Sequence, residues 1–300
     1  MISLSIVIAT KDREKDLIEC IESIGKQTVK PVEVLVIDDG RIPERIKEKI
    51  KNLISKDSII FRYFKKDKPG LAESKNLGAK ESIGDVVLFL DDDVILDNDY
   101  IKNLLKVWEK RWDEKHLAGV AGVSTNSRKK SLIEVTLNKI FCLHSKKTWS
   151  ILPWGFQTWD FNLKNEEIAD WVPGFSASFR KEIFNIYQFK SLKPGRTALE
   201  DIEFCWHLKN DGYYFIVTPY ARLVHNQSLS GRESSFLSGL KEGANRKIMF
   251  KMHAEKSAKN YFCFYFSSLG WILRQFIAGH YGVGFGMTKG FLQNDQKIFK

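Results

Sequence analysis

Three consecutive aspartates, Asp91, Asp92 and Asp93, directly follow the apolar run VVLFL. Carboxylates packed this closely cannot all stay ionised cheaply without a counter-charge. A hard divalent cation relieves the repulsion, and such ions usually keep phosphate oxygens of a substrate as further ligands. A helix N-cap would explain one aspartate but not three, and a calcium loop is excluded because residues 94–96 are apolar and no glycine follows. The stretch therefore predicts a metal site for monophosphate or diphosphate chemistry.

Two further polar pairs follow apolar runs nearer the N-terminus. Thr10 and Asp12 follow SIVIA, and Asp38 and Asp39 follow VEVLVI. In open α/β sheets, ligands bind outside the carboxyl ends of the strands. We therefore expect three strands to deliver these side chains and the three aspartates to one edge of a single sheet, an arrangement that no structural role requires.

The spacing of apolar residues predicts the elements that would position these side chains. Short β-branched runs alternate with segments of helical period, which implies right-handed βαβ units and a parallel sheet. Strands are predicted at 3–10, 32–40, 58–64 and 85–90, and helices at 16–27, 43–54 and 70–82. The second half is less regular, with predicted elements at 117–125 (strand), 170–180 (partly extended) and 197–215 (a helix ending near Asp211, then a strand).

Composition places the chain among folded proteins. Its 300 residues, 43% of them hydrophobic, suffice for one large domain or two modest ones. The four cysteines lie far apart without a CxxC pair, so they fit buried thiols in a reducing compartment. The N-terminal residues lack the basic region of a signal peptide, so we expect none.

The net charge of +10 is concentrated near the C-terminus, where residues 226–300 hold eleven Lys or Arg against four acidic residues. Such a bias favours an anionic partner, either a membrane surface or a nucleic acid. A merely solvated basic face is the alternative.

Six segments, in this order and with compatible spacing, resemble the family 2 glycosyltransferases: SIVIATKDRE, VEVLVIDDG, GLAESKNLGA, DVVLFLDDDV, WVPGFSASFR and LEDIEFCWHLKNDGY. The resemblance covers about residues 3–225. It implies a GT-A fold, which is an α/β fold with a mostly parallel central sheet flanked by helices. It also implies a nucleotide-diphosphate sugar donor, Mn²⁺ or Mg²⁺ as cofactor, and inversion at the anomeric carbon. Residues 1–225 would form this domain, and 226–300 a basic, aromatic-rich helical extension.

The resemblance assigns five residues to the nucleotide sugar. Thr10 and Asp39 would lie against the base and ribose, with Asp12 and Asp38 beside them, and Lys75 would face the phosphates of the donor. Lys11 stands where the family often has an aromatic residue, which weakens the expectation of base stacking.

The aspartate triplet matches the D-x-D motif of the family. Asp91 and Asp93 take its outer positions, with Asp93 nearest the metal, and Asp91 and Asp92 would also lie on the nucleotide-sugar side. His225, after the strand-like YARLVH, is a third candidate metal ligand. A purely structural role at a strand end is the alternative for this histidine.

The acceptor side is assigned to the second half of the chain. Gly174 lies in the "PG" segment, and Asp201 matches the second acid of the "ED" pair, the candidate general base that takes the proton of the acceptor hydroxyl. TALE, 197–200, fits a capping box, which would give Glu200 a structural role. Asp201 would lie in the first turn, where the helix dipole stabilises a carboxylate. The QxxRW box of processive synthases is absent after Asp201, which favours transfer of a single sugar.

Two other functions also fit parts of the sequence. LFLDDDV satisfies the nucleophile motif of haloacid-dehalogenase-type phosphatases, but that motif belongs to an early strand, and a phosphatase leaves Thr10, Asp38 and Asp39 unexplained. A non-catalytic basic protein that binds nucleic acid is the other alternative. No nucleic-acid module is recognisable in the sequence, and acidic strand ends repel phosphate, so we expect no nucleic-acid partner.

The aromatic segment 261–287 is long enough to cross a bilayer, but Arg274 and His280 interrupt it. Because a central arginine is costly in lipid, we expect peripheral membrane contact, with the basic stretch 246–259 near anionic lipid. Packing of these aromatic residues as ordinary core is the alternative. We thus expect a cytoplasmic transferase, peripheral on the inner face of the membrane, that acts on a glycan or lipid-linked acceptor in surface polysaccharide or glycoconjugate synthesis.

Overall fold

The computed structural model describes residues 2–54, 58–192, 199–228 and 233–293. These residues form nine strands: β1 Leu4–Thr10, β2 Glu33–Asp38, β3 Ile60–Lys65, β4 Val86–Asp91, β5 Val94–Leu96, β6 Leu117–Ser124, β7 Glu167–Ala169, β8 Ala177–Arg180 and β9 Tyr214–His225. They also form nine α-helices: α1 Glu14–Gly25, α2 Glu44–Ile54, α3 Leu71–Glu81, α4 Tyr100–Lys110, α5 Leu132–Ile140, α6 Glu200–Asn210, α7 Ser235–His253, α8 Ala258–Ile277 and α9 Tyr281–Leu292. A 3₁₀ helix, Lys181–Asn185, follows β8.

The strands form one sheet in the order β3-β2-β1-β4-β8-β6-β9-β5, and β7 pairs with β9. The pairs β1–β2, β1–β4 and β2–β3 are parallel, as the alternation of strands and helices predicts. The second half differs from the predicted, mostly parallel sheet, because β8 runs antiparallel to β4 and β6, and β9 runs antiparallel to β5 and β7. β6 and β9 are parallel. The sheet is therefore mixed, with three of its parallel pairs among the N-terminal strands.

Strands β1, β2 and β4 are buried on both faces, which explains their nearly continuous apolar sequences, whereas the edge strand β3 is only partly buried. Ile6 and Ile8 of β1 belong to a hydrophobic cluster that also contains residues of α1, α2 and α4. Val7 points to the opposite face, into a second cluster that it shares with residues of α3 and α6. This alternation follows from the two-residue period of a strand.

The register of the strands brings the predicted residues to one edge of the sheet. Thr10 pairs with Asp38 across β1 and β2, and Ala9 pairs with Asp91 across β1 and β4. On the far side of the sheet, β9 pairs with β5, and His225 lies opposite Val94. Val94 directly follows the aspartate triplet, so this pairing brings His225 next to it.

The last three helices pack on the rest of the molecule. Met249 of α7, Phe264 and Trp271 of α8, and Met287 of α9 are buried in the same cluster as Val7 of the first strand. The predicted alternative of core packing thus holds for this face of the aromatic segment. In the part of the chain that the structure describes, no helix combines the length and hydropathy that crossing a bilayer requires.

Candidate metal and nucleotide site

Asp91, Asp93 and His225 form a compact group at the carboxyl edge of the sheet. One ligand atom from each lies within 4.8 Å of the others. The Nε2 atom of His225 is 3.1 Å from Asp93 Oδ1 and 3.7 Å from Asp91 Oδ2. Asn126 fixes the backbone of His225, since its Nδ2 donates to the His225 carbonyl at 3.0 Å and its Oδ1 accepts from the His225 amide at 3.2 Å. The structure thus brings together the three predicted ligands.

The donor atoms of this group fit the implied metal. Asp93 Oδ1 is buried and, among the described residues, receives no hydrogen bond of good geometry, while Oδ2 accepts from the Ser228 amide at 2.8 Å. Burial raises the pKa of Asp93, but His225, the Ser228 amide and Arg13 outweigh it, so the pKa lies below its usual value. An ionised carboxylate with an unsatisfied oxygen, a second carboxylate and an imidazole suit Mn²⁺, and the carboxylates suit Mg²⁺.

Asp92 turns away from the metal group and holds Arg13, a residue that the sequence analysis missed. Thr10 Oγ1 donates to Asp92 Oδ2 at 2.7 Å, and Arg13 Nη1 donates to Asp92 Oδ1 at 2.9 Å. Burial raises the pKa of Asp92 to about 6 despite both donors. Arg13 Nη1 also lies 3.6 Å from Asp93. Asp92 therefore positions a guanidinium beside the metal group, and its own oxygens are taken by protein donors.

A cleft of about 400 Å³ opens beside the metal group, at the ends of β1, β2 and β4. Lys11, Arg13, Asp39, Gly70 and Asp91 are among its lining residues. Its lining holds two cations and four carboxylates, the latter from Asp39, Asp91, Asp92 and Glu233. With a divalent cation at the metal group, such a set suits a ligand that carries both phosphates and hydroxyl groups. The cleft is the part of the described structure that fits the predicted nucleotide site.

Of the two aspartates at the end of β2, only Asp39 lines the cleft. It accepts hydrogen bonds from the Gly70 amide at 2.9 Å and from Ser74 Oγ at 3.0 Å, and it lies 3.1 Å from Lys66 Nζ. These contacts fix its carboxylate at the N-terminus of α3.

Asp38 and Asp12 hold loops instead of facing the predicted ligand. Asp38 is fully buried, and its oxygens accept from the amides of Gly40 and Ile42 and from the Tyr63 hydroxyl, at 2.6, 3.0 and 2.6 Å. A contact between Asp38 and the nucleotide, as predicted, is therefore wrong for this conformation, because its carboxylate has no exposed surface. Asp12 is exposed, and its Oδ1 accepts from the Arg41 amide at 3.0 Å.

A second group of polar residues surrounds the candidate base. Asp201 Oδ2 accepts from the Gly174 amide, and Oδ1 accepts from the Ile202 amide, both at 2.9 Å. Buried Lys75 donates to Glu200 Oε1 at 2.9 Å. A Cβ on Gly174 would lie 3.0 Å from Lys75 Nζ and 3.1 Å from Asp201 Oδ2, so only glycine fits here without displacing the base or its neighbour.

The electrostatics of this group correct two expectations. Burial, together with the charge of Glu200, raises the pKa of Asp201 to about 6, so the predicted net stabilisation of its ionised form is wrong in direction. Asp201 is nonetheless mostly ionised at neutral pH. The capping-box interpretation of Glu200 is also wrong, because α6 begins at Glu200 with Leu199 before it, and Glu200 pairs with Lys75. Thr197, the predicted cap, lies outside the described residues.

Lys75 connects the two groups. Burial lowers the pKa of its ammonium, but the charges of Glu200, Asp91 and Asp201 outweigh burial and raise it. For the predicted contact with donor phosphates, the ammonium of Lys75 would have to leave Glu200, or to bind Glu200 and a phosphate at the same time. The structure places this cation between the metal group and the base, since its charge acts on carboxylates of both.

Comparison of the sequence with known proteins identifies a matching family. The model of the family described as "Glycosyl transferase family 2" matches residues 5–183. An uncharacterised glycosyltransferase of Rickettsia felis is 40% identical over 107 residues, which are 36% of this chain and 17% of that relative, so this chain corresponds to about a sixth of its length.

Two solved structures share the fold over nearly the whole chain. GalNAc-T7, solved with UDP, GalNAc and Mn²⁺, has a TM-score of 0.59 at 15% identity, covering 94% of this chain and 58% of that one. The mannosyltransferase PcManGT of Pyrobaculum calidifontis, solved with GDP-Man and Mn²⁺, has a TM-score of 0.57 at 14% identity, covering 96% and 79%. The family match spans more than half of the sequence, and the sheet, edge and helices agree with it: the chain belongs to glycosyl transferase family 2 and has the GT-A fold.

Proposed function

We propose that this chain is an inverting, metal-dependent glycosyltransferase that moves one sugar from a nucleotide-diphosphate sugar to a hydroxyl of a glycan or lipid-linked acceptor. The observation that carries the proposal is geometric: the potential metal ligands Asp91, Asp93 and His225 lie beside the cleft, and the Gly174 amide holds Asp201. The surroundings of two of these aspartates differ. The pKa of Asp93 is lowered among potential metal ligands, whereas the pKa of Asp201 is raised to about 6 beside Gly174. Environments that separate the pKa values of two carboxyl groups commonly mark distinct roles in proton transfer and binding.

The residues around Asp201 suit a general base. The amides of Gly174 and Ile202 fix its two oxygens, and each oxygen keeps a second lone pair that can accept the proton of an acceptor hydroxyl. A pKa of about 6 leaves the group ionised at neutral pH and more basic than an ordinary aspartate. Lys75 offsets the charge of Glu200 beside it, so the base is not surrounded by anions alone.

The residues around the cleft suit a nucleotide diphosphate. Asp39, fixed by Gly70 and Ser74, presents acceptors for ribose hydroxyls, and Arg13 presents a guanidinium for phosphate. Asp91, Asp93 and His225 would hold Mn²⁺ or Mg²⁺. When bound, such an ion neutralises the negative charge that develops on a departing diphosphate. Mn²⁺ in the solved structures of two transferases with this fold supports this proposal.

The direct test uses the purified chain with UDP-, GDP- and dTDP-sugars. A matching donor should raise the melting temperature in the presence of Mn²⁺ and much less with EDTA, because binding to the folded state stabilises it. Slow consumption of the same donor should release nucleoside diphosphate and a sugar of inverted anomeric configuration. Hydrolysis of p-nitrophenyl phosphate without consumption of any nucleotide sugar would instead support the phosphatase alternative and contradict the proposal.

We further propose that the chain contacts an anionic bilayer through one exposed surface, here termed the apolar face. It consists of exposed residues of α8 and α5: Tyr261, Phe262, Tyr265, Leu269, Leu273, Ile277, Leu132, Ile133 and Ile140. The only Lys, Arg, Asp or Glu between residues 260 and 280 is Arg274, which is 13% exposed and pairs with Glu134.

Cations border the apolar face. Lys256 precedes α8 and Lys259 lies in its first turn. Lys129 and Lys130 precede α5, and Lys139 lies in its last turn. All five are exposed. Large contiguous apolar surfaces mark interaction sites, and aromatic residues next to cations suit the interface of an anionic bilayer. This charge pattern favours lipid over a second copy of the chain, whose same cations would repel.

A further inference from the structure

A second groove lies outside the nucleotide cleft and follows the end of β6. One wall is the segment 127–130, with the sequence SRKK, and the other is 159–162, with the sequence WDFN. Val135 of α5 also lines the groove, whose volume is about 320 Å³. Lys129 and Lys130 also border the apolar face, but no role proposed above uses the groove itself as a binding site.

The groove carries an excess of positive charge. Arg128 and Arg274 share one carboxylate, Glu134, at 2.7 and 3.3 Å. In the part of the chain that the structure describes, no carboxylate lies within ion-pair distance of Lys129 or Lys130. Lys130 donates to the Trp159 carbonyl at 2.8 Å, and its ammonium lies 4.9 Å from the centre of the Trp159 ring.

Asp160, the one acidic residue among the lining residues of the groove, accepts hydrogen bonds from its own wall. Asp160 Oδ1 accepts from the amide of Asn162 at 2.9 Å and from its side chain at 3.1 Å. Partial burial and the charge of Arg274 lower the pKa of Lys130 by more than the charges of Asp160 and Glu134 raise it. Because its ammonium lies within ion-pair distance of no carboxylate among the described residues, it can pair with an added anion.

The near end of the groove adjoins the metal group. Ser127 directly follows Asn126, which holds both backbone polar groups of His225. Phe161 of the groove contacts the ring of Phe175 at 6.0 Å, and Phe175 in turn contacts the ring of His225 at 4.5 Å.

The groove and the nucleotide cleft lie on different sides of the reactive edge. The cleft lies at the ends of β1, β2 and β4, whereas the groove follows β6, and in the sheet β8 lies between β4 and β6. A ligand in the groove would therefore approach the metal group from the side opposite to the nucleotide.

The far end of the groove leads to the apolar face. Lys130 is two residues before Leu132, which is 86% exposed, and Ile133 beside it is 59% exposed. A molecule that follows the groove outward thus passes from the metal group, past two ammonium groups that have no carboxylate partner among the described residues, to exposed aliphatic side chains.

We propose that this groove binds the acceptor and that the acceptor carries a phosphate or diphosphate ester between its reactive hydroxyl end and an apolar chain. This inference rests on the proposed function, since it specifies the acceptor of that transfer. Lys129 and Lys130 bind the phosphate oxygens as point charges, the ring of Trp159 lies against the ammonium of Lys130, and the apolar chain continues along α5. The same surface that contacts the bilayer thereby receives a substrate that is anchored in it.

The test measures binding of farnesyl diphosphate to the full chain in EDTA, which prevents metal-assisted capture of diphosphate at the nucleotide cleft. Binding should exceed that of inorganic diphosphate, which lacks the chain, and that of farnesol, which lacks the anion, by about tenfold each. Lys129→Gln combined with Lys130→Gln should weaken farnesyl diphosphate binding at least about tenfold. The matched control, Lys106→Gln with Lys110→Gln on exposed positions of α4, should bind like the unaltered chain.

Loss of the Lys130 contacts could disturb folding of the double variant, so Lys129→Glu is tested alone as well. Lys129 makes no hydrogen bond or ion pair with the described residues, so this single change should leave the fold intact. It should also weaken binding. Equal binding by both double variants, or equal binding of farnesol and farnesyl diphosphate, overturns the proposal. If inorganic diphosphate binds as tightly as farnesyl diphosphate, the apolar chain contributes nothing, which overturns the proposal that the acceptor is lipid-linked. Consumption of a nucleotide sugar is measured separately, so failure of the proposed function is distinguishable from failure of this site.

Discussion

Asp93 and Asp201 are both aspartates at the open edge of the sheet, yet their surroundings shift their pKa values in opposite directions. His225 and the Ser228 amide, together with Arg13, lower the pKa of Asp93 by more than burial raises it. Two amide donors lower the pKa of Asp201, but burial and the charge of Glu200 raise it by more. Substitution of each by asparagine removes one negative charge, so their phenotypes separate metal binding from proton transfer.

Asp93→Asn and Asp201→Asn should therefore fail in different ways. Asp93→Asn should raise the Mn²⁺ concentration that half-saturates donor binding at least about tenfold, because a ligand is lost. Asp201→Asn should leave donor affinity within about twofold and lower kcat by about 10² to 10⁴, because only the proton acceptor is lost. Calorimetric titration with donor and initial transfer rates check both. The exposed Asp113→Asn is the control, and near-normal transfer by Asp201→Asn would show that another group is the base.

The pH dependence of turnover follows from the raised pKa of Asp201. A base must be ionised, so kcat should fall as the pH drops through about 6, and it should be constant above about 7. An ordinary aspartate would retain activity down to about pH 4. Asp92 also has a pKa raised to about 6, but it holds Arg13 at the cleft, so its protonation should weaken donor binding. Measuring kcat at saturating donor isolates Asp201, and an acidic limb near pH 4 would contradict the assignment.

Residues at strand ends could be predicted from the sequence because their position needs only the alternation of elements. Asp39, Asp91 and Asp93 lie where that alternation puts them. Arg13 could not be predicted, since an arginine in a loop looks like any solvated charge until Asp92 is seen to hold it. The pair of Lys75 and Glu200 joins residues 125 positions apart, which no local pattern reports.

At the scale of elements, α7 and α9 pack closely because glycines replace side chains between them. A Cβ on Gly239 or Gly243 would lie 2.2 or 2.5 Å from a carbonyl oxygen of α9, and one on Gly286 or Gly290 would lie 2.1 or 2.3 Å from a carbonyl oxygen of α7. In the sequence, Gly239 and Gly243 lie in a basic stretch and Gly286 and Gly290 lie near the end of the aromatic one, and no local pattern relates the two pairs. The structure shows that they allow the two backbones to approach, which explains why helices of weak intrinsic propensity form.

Gly243→Ala should destabilise the fold despite the better helix propensity of alanine. The added Cβ would meet the Met287 carbonyl at 2.5 Å, so α7 and α9 must separate. We expect a loss of about 1–3 kcal/mol in the free energy of unfolding, as for other overpacked sites. Gly25→Ala at the end of α1 is the matched control, since its Cβ would lie at an ordinary 3.5 Å from the Leu53 carbonyl. Urea unfolding compares the two, and equal stabilities would contradict the close packing.

For the whole molecule, the predicted boundary at residue 225 does not coincide with a boundary in the core. Buried residues of α7, α8 and α9 share one cluster with the central sheet. Arg246 is 1% exposed and donates to the Gly155 carbonyl at 3.2 Å and to Gln157 Oε1 at 3.0 Å. The sequence could not reveal this, because an aromatic helix suits a core, an interface or a bilayer equally. Deletion of 226–300 would thus remove core as well as surface and cannot test membrane contact by itself.

Membrane contact is better tested by substitutions that leave the core intact. Leu269 and Leu273 are 50% and 37% exposed on α8, so replacing both by asparagine should spare folding. It should also reduce partitioning onto liposomes that contain anionic phosphatidylglycerol by at least about tenfold, because burial of each leucine at the interface contributes on the order of 1 kcal/mol or more. The control replaces Ile83 and Ile186, which are 58% and 75% exposed away from the apolar face.

Salt should weaken the binding of the unaltered chain as well, since the bordering lysines act through screened charge. Sedimentation at 50 and 500 mM salt measures both contributions on one protein. If the chain binds through the apolar face, the leucine variant loses the salt-resistant part and retains the salt-sensitive part, whereas the isoleucine control keeps both. Equal partitioning of the two variants, or no sedimentation of the unaltered chain with anionic liposomes at low salt, would show that α5 and α8 do not contact lipid. An acceptor anchored in a bilayer would then have to reach the groove from another direction.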